Sequence, residues 1–237
     1  MASNHHTDEV FRKKRAPKTP IKFKLTLNEE QKIAKEAIIN NTLTLLAGSA
    51  GSGKTLLACQ IALDGLFCRQ YEKIIITRPT VSKEDIGFLP GDLREKMDPW
   101  VQPIYQNMYA LYDKIKIEKY IESGQIEIVP VSFMRGRTFL DSLIIVDEAQ
   151  NVTHEQMEMI VTRIGLRSKM VICGDDHQVD LKSKRDSGFR FLYSASRKIK
   201  NMNGITLKHN HRDPIVDGLI DLYEEAAEIG IVSGSKK

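Results

Sequence analysis

The residues Gly48-Ser49-Ala50-Gly51-Ser52-Gly53-Lys54-Thr55 fit the phosphate-loop pattern G-x-x-x-x-G-K-(S/T). Small residues there let the backbone wrap a polyphosphate, so that consecutive N–H groups and the start of the next helix point at the anion. Lys54 is spaced to reach the β- and γ-phosphates of a nucleoside triphosphate, and the Thr55 hydroxyl to ligate magnesium. Leu56 completes the binding stretch as the helix begins. A second chemical group closes the run SLIIVDEAQ, Ser142 to Gln150, where apolar residues give way to two carboxylates. Asp147 suits holding magnesium through water, and Glu148 suits orienting and deprotonating the attacking water. A third run, MVICGDDHQVDL at residues 170–181, places Gln178 four residues after Gly174. That glutamine is spaced to hydrogen-bond a γ-phosphate and report its loss, although a polar turn would read the same way.

Such residues act only if a scaffold brings them to one place. Thr42 to Leu46 alternate β-branched and leucine residues as a buried strand does, and Leu56, Leu57, Gln60, Ile61 and Leu63 follow with helical spacing. Strand, loop, helix is the order a phosphate loop requires. The apolar runs before Asp147 and Gly174 read as central strands of a parallel sheet, which binds ligands at its C-terminal edge. Thr153-His154-Glu155-Gln156 is a capping box for the next helix, so the two carboxylates are not needed as caps. The expected fold is a single α/β P-loop NTPase domain, a RecA-like three-layer sandwich with a mostly parallel central sheet, over residues 25–232.

Composition limits the function classes. The 237 residues suit one domain with a substantial core, and no apolar run reaches the roughly 18 residues of a membrane helix. Three cysteines without C-x-x-C spacing, and no apolar leader segment, lead to the expectation of a soluble cytoplasmic protein without a zinc site or membrane partner. The net charge of +4 is uneven: residues 1–24 hold seven Lys and Arg against Asp8 and Glu9, leaving about −1 for the remainder. That segment reads as a disordered basic tail, either an arm for nucleic-acid phosphates or a solvated end, and residues 233–237 as a short flexible one.

Together with the phosphate loop, Arg78-Pro79, GFLPGDL at residues 87–93, MRGRT at residues 134–138, DEAQ at residues 147–150 and Gly174-Asp175 with Gln178, Asp180 and Leu181 resemble the PhoH family of ATPases. That family is related to the first motor domain of superfamily 1 helicases, and the resemblance covers most of residues 26–224. It implies hydrolysis of ATP with Mg2+ and a role on RNA. It also implies that Gln31, before the first strand, reads adenine, and that Arg212, in HNHRDPIV, stabilises the transition state as an arginine finger. Read without the family, Gln31 is a polar residue near a helix start and Arg212 a partner for a surface acid. Asp213 stands where the family pattern expects histidine. A helicase closes two motor domains around one ATP and this chain has room for one, so a homo-oligomer, such as a hexameric ring donating Arg212 or Arg163 across a boundary, is the expected substitute.

Candidate contacts to single-stranded RNA or DNA are Arg78 and Thr80 after the second strand, and Arg135 and Arg137 in the loop after IEIVPVSF. All follow strands and so belong at the edge that carries the ATP site. Phe133 reads better as core than as a base platform, Trp100 as either an interface lid or a platform, and His209 and His211, spaced as strand neighbours are, as structural residues. Two other functions remain: a nucleotide-dependent switch acting on a protein partner, and a small-molecule kinase, which Glu148 and Gln178 disfavour.

Overall fold

The structure, a computed structural model, describes residues 26–79, 93–176, 178–229 and 231. The basic tail, Thr80, residues 87–92 and the C-terminal tail lie outside the described residues, as does the side chain of Trp100.

Six strands form one sheet: β1 (Leu43–Ala47), β2 (Lys73–Thr77), β3 (Ile126–Ile128), β4 (Ser142–Val146), β5 (Lys169–Gly174) and β6 (Met202–Thr206). Their order is β3-β2-β4-β5-β1-β6 and every pairing is parallel. The central strands are mostly apolar and buried because helices cover both faces. Side chains alternate between those faces along each strand. Leu46, Ile74, Ile76, Leu143, Ile145 and Val171 meet α1 (Glu29–Asn40), α2 (Lys54–Phe67), α3 (Leu93–Leu111) and α4 (Lys114–Glu122). Leu45, Ile75, Ile144, Val146 and Ile172 meet α5 (His154–Val161) and α6 (Gly188–Ala195) on the other side. A last helix, α7 (Pro214–Glu228), follows the loop after β6. This is the three-layer α/β arrangement that the motifs require, with an all-parallel sheet. No helix among the described residues is long and apolar enough to cross a membrane.

Register aligns the strand ends. Ala47 lies opposite Gly174, Thr77 opposite Val146, and Val146 opposite Ile172. The residues that follow, from Gly48, Arg78, Asp147 and Asp175, therefore share one edge. Local signals fix the helices around that edge. Asn28 and Gln31 form a reciprocal capping box on α1, and Thr153 and Gln156 do so on α5. The other end of α1 has no basic residue of its own, but Lys169 at the start of β5 donates from Nζ to the carbonyls of Ile38, Ile39 and Asn41, at 3.3, 2.5 and 2.8 Å. Half-buried among those carbonyls, its ammonium has its pKa lowered by desolvation.

Two details differ from expectation. Phe133 is not core: it is 55% exposed, because the 3-10 turn at Val131–Phe133 turns Val131 inward and Met134 then fills the space beneath. His209 and His211 are not on a strand, since β6 ends at Thr206 and the chain continues as loop.

Because Leu45 is fully buried in the middle of β1, Leu45→Ala is expected to lower the free energy of unfolding by about 2–5 kcal/mol. Urea titration with unchanged slope checks this. A cost below about 1 kcal/mol would mean that the site collapses around the gap.

Candidate active site

Gly48 to Thr55 form the turn between β1 and α2. Gly48 packs against the Leu207 carbonyl so closely that a Cβ would strike it. Gly53 sits at φ 82° with the position of a Cβ only 2.9 Å from the Gln31 side-chain amide, so both glycines are required by geometry. The loop is thereby pinned between α1 and the segment after β6. Ala50, Gly51, Gly53 and Leu56 line a cleft of about 490 Å³, while Ser52 is buried behind it. Lys54 donates from Nζ to the carbonyls of Gly48 and Ser49, at 2.7 and 2.8 Å, and so spans the loop.

The Thr55 hydroxyl donates to Asp147 Oδ1 at 2.6 Å, joining residues 92 apart in sequence. Asp147 is buried, and its backbone N–H donates to the Thr77 carbonyl at 2.9 Å. Desolvation raises its pKa above the ordinary carboxylate range, and the Thr55 hydrogen bond pulls the other way. A hydroxyl and a carboxylate at this separation are hard oxygen donors, few in number, as magnesium takes from a protein.

Glu148 adopts a left-handed backbone, φ 50° and ψ 39°, which costs a non-glycine residue energy and is commonest at functional positions. Its Oε2 accepts from the Gln150 side-chain amide at 2.7 Å, and its Oε1 lies 3.4 Å from Arg78 Nη2. Gln150, itself buried, accepts at Oε1 from the Asp175 backbone N–H at 3.0 Å. It therefore ties the carboxylate after β4 to the end of β5. Gln178 is exposed and lines the cleft, with its backbone N–H donating to the Asp175 carbonyl at 3.2 Å.

Gln31 and Arg212 close the cleft from the other side. The Gln31 amide nitrogen is 3.2 Å from His211 Nε2, and its carbonyl accepts from the Asn28 backbone N–H at 3.1 Å. Arg212 lies against its own chain's phosphate loop, where a Cβ on Gly51 would come within 2.8 Å of the Arg212 Cγ. The His211 N–H donates to the Gly51 carbonyl at 3.1 Å. One α1 residue anchors this segment: the half-buried Glu30 accepts at its carboxylate from the backbone N–H groups of His209 and Lys208, which hold its pKa below the usual value.

The structure thus gathers Gln31, Lys54, Thr55, Asp147, Glu148, Gln178 and Arg212 around one cleft. The arginines are treated differently. Arg78 stands at the cleft edge on Glu148. Arg135 is 77% exposed, with Glu155 at 3.8 Å. Arg137 does not offer an open cation: its guanidinium makes a two-pronged pair with Glu127 of β3, at 2.8 and 3.0 Å, and covers the Phe139 ring. Arg163 is likewise engaged locally, donating to the carbonyls of Met159 and Arg137. Sequence reasoning gave no site role to Gln150, placed only within the DEAQ stretch, or to His211, read as structural. A glutamine directly after a strand's carboxylates was a readable signal for the first. Nothing local marks the second, which meets Gln31 across 180 positions.

A family model described as PhoH-like protein matches residues 25–224. The PhoH-like protein of Synechocystis sp. is 39% identical over 197 residues, covering 81% of this chain and 59% of that protein. That of Bacillus subtilis is 40% identical over 206 residues, covering 84% and 63%, and the protein PhoH of Escherichia coli K12 is 39% identical over 160 residues, covering 66% and 45%. The chain therefore spans about three-fifths of the length of the PhoH-like relatives it matches and somewhat less of the E. coli protein. A crystal structure of Pif1 helicase from Candida albicans matches 84% of this chain and 44% of its own, at 19% identity and a TM-score of 0.46. With its phosphate loop, its paired carboxylates and the glutamine after β5 all inside the matched span, the chain belongs to the PhoH-like protein family.

Proposed function

We propose that this chain hydrolyses ATP with magnesium and couples hydrolysis to binding or remodelling of single-stranded RNA or DNA. The observation that carries the reading is the Thr55–Asp147 contact of 2.6 Å beside Glu148, in a cleft floored by the phosphate loop. Thr55 and Asp147 would hold the magnesium ion, which supplies neutralisation of the charge that builds on the β- and γ-phosphates. Lys54 exchanges the carbonyls of Gly48 and Ser49 for phosphate oxygens. Glu148 accepts a proton from the attacking water as the water oxygen bonds to the γ-phosphorus and the bond to the leaving ADP oxygen breaks. Gln150 keeps the Glu148 carboxylate aimed, and Gln178 orients water or the γ-phosphate. Arg212, beside Gly51 of its own chain, would stabilise the departing charge in cis. Gln31, which lines the cleft, reads adenine there. Arg78 and Arg135 are the strand contacts at the same edge of the sheet.

The test is the rate of phosphate release with and without single-stranded RNA and single-stranded DNA, at low salt because phosphate contacts weaken steeply with salt. Faster release with one strand is expected and identifies the polymer. Release that is indifferent to both would replace the nucleic-acid half of the reading with a nucleotide switch acting on a protein.

A further inference from the structure

Glu148, read above as the base for the attacking water, is held from two sides. Gln150 donates to Oε2 at 2.7 Å from a buried position, and Arg78 approaches Oε1 at 3.4 Å. The two contacts differ in kind. Gln150 is neutral and is locked by the Asp175 backbone, so it orients the carboxylate. Arg78 is a cation, and its guanidinium lies against the oxygen that would take the proton from water. Arg78 directly follows β2 at the C-terminal edge of the sheet, and Arg137 pairs with Glu127.

We propose that Arg78 is a latch on Glu148: in the nucleotide-only state it holds Oε1, and a phosphate of a bound RNA or DNA strand draws its guanidinium away and frees that oxygen for water. The proposal rests on the reading of Glu148 as the water-activating base and extends it to regulation. No new chemistry is required. One charge-assisted contact, arginine to carboxylate, is exchanged for another, arginine to phosphate. At 3.4 Å the existing contact is longer than a good charge-assisted hydrogen bond, which leaves room for a phosphate to compete for the guanidinium. Nucleic-acid binding and hydrolysis would then be linked by one side chain located directly after β2, with no movement of the sheet.

The experiment compares wild type, Arg78→Gln and Arg78→Lys for phosphate release without nucleic acid and with saturating single-stranded RNA or DNA. ATP affinity and thermal unfolding are measured alongside to confirm an intact fold and site. Expected for Arg78→Gln is a basal rate raised about two- to fivefold, the size an ion pair of this exposure supports. Stimulation by the strand should shrink towards none, and Arg78→Lys, which keeps the charge but not the fork, should fall between. A lower basal rate in Arg78→Gln would overturn the latch and make Arg78 a positioning residue for Glu148. An unchanged basal rate with full stimulation would overturn it too. If the wild type ignores both strands while Arg78→Gln is faster, the latch stands and its release by nucleic acid is overturned, so the two readings fail separately.

Discussion

Glu148→Gln is expected to slow phosphate release by about 10²- to 10⁴-fold, the range for losing a positioned general base, while leaving ATP affinity nearly unchanged. The substitution keeps the side chain's size and one oxygen, so Gln150 can still donate to it, but the new amide cannot take a proton from water. The left-handed backbone at this position, φ 50°, is set by the turn into the 3-10 segment Ala149–Asn151 and does not depend on the carboxylate. Binding, which falls to the phosphate loop and Asp147, should therefore survive. Phosphate release and equilibrium titration with ATP on the same preparation check both halves. Loss of binding in parallel with loss of turnover would mean that Glu148 helps hold the nucleotide or its metal and is not the base.

The second large effect is expected at Lys54. Lys54→Ala removes the ammonium that spans the Gly48 and Ser49 carbonyls. Hydrogen bonds made by a charged partner are worth roughly 1.5–3 kcal/mol each, so losing two to phosphate oxygens should weaken ATP binding about 10²-fold or more. Stability without nucleotide should change little, because the two carbonyls regain water at the open cleft. The clearest readout is the melting temperature: ATP should raise it for the wild type by mass action and leave that of Lys54→Ala where it was at the same concentration. An equal rise in both would put the nucleotide elsewhere.

Much of this was legible in the residues. The phosphate loop, the apolar run before Asp147 and the one before Gly174 each carry their own periodicity, and strands read from them end within a residue of β1, β4 and β5. Parallel strands with residues of interest at their ends could then converge at only one edge. What local pattern does not carry is which strands are neighbours and which side chains meet across the fold. That β1 lies between β5 and β6 brings His211 to Gln31 and Arg212 to Gly51. The parallel pairing of β2 with β4 brings Arg78 to Glu148. Arg137 looked as open as Arg135 in the same loop, until the pairing of β2 with β3 put β3 at the sheet edge and Glu127 within reach. Phe133 shows the same limit at short range: in a 3-10 turn adjacent apolar residues cannot all face inward, and Val131 and Met134 take the space.

The central claim, hydrolysis of ATP at the cleft between the phosphate loop and Asp147-Glu148, is tested most directly by following phosphate release from ATP by the wild type and by Asp147→Asn, each with magnesium and again with a chelator. Release by the wild type is expected to stop with the chelator and nearly to vanish in Asp147→Asn even at saturating magnesium. Release that persists in Asp147→Asn at the wild-type rate, or that ignores the chelator, would contradict it, because the cleft described here would then not be where the phosphate is cleaved.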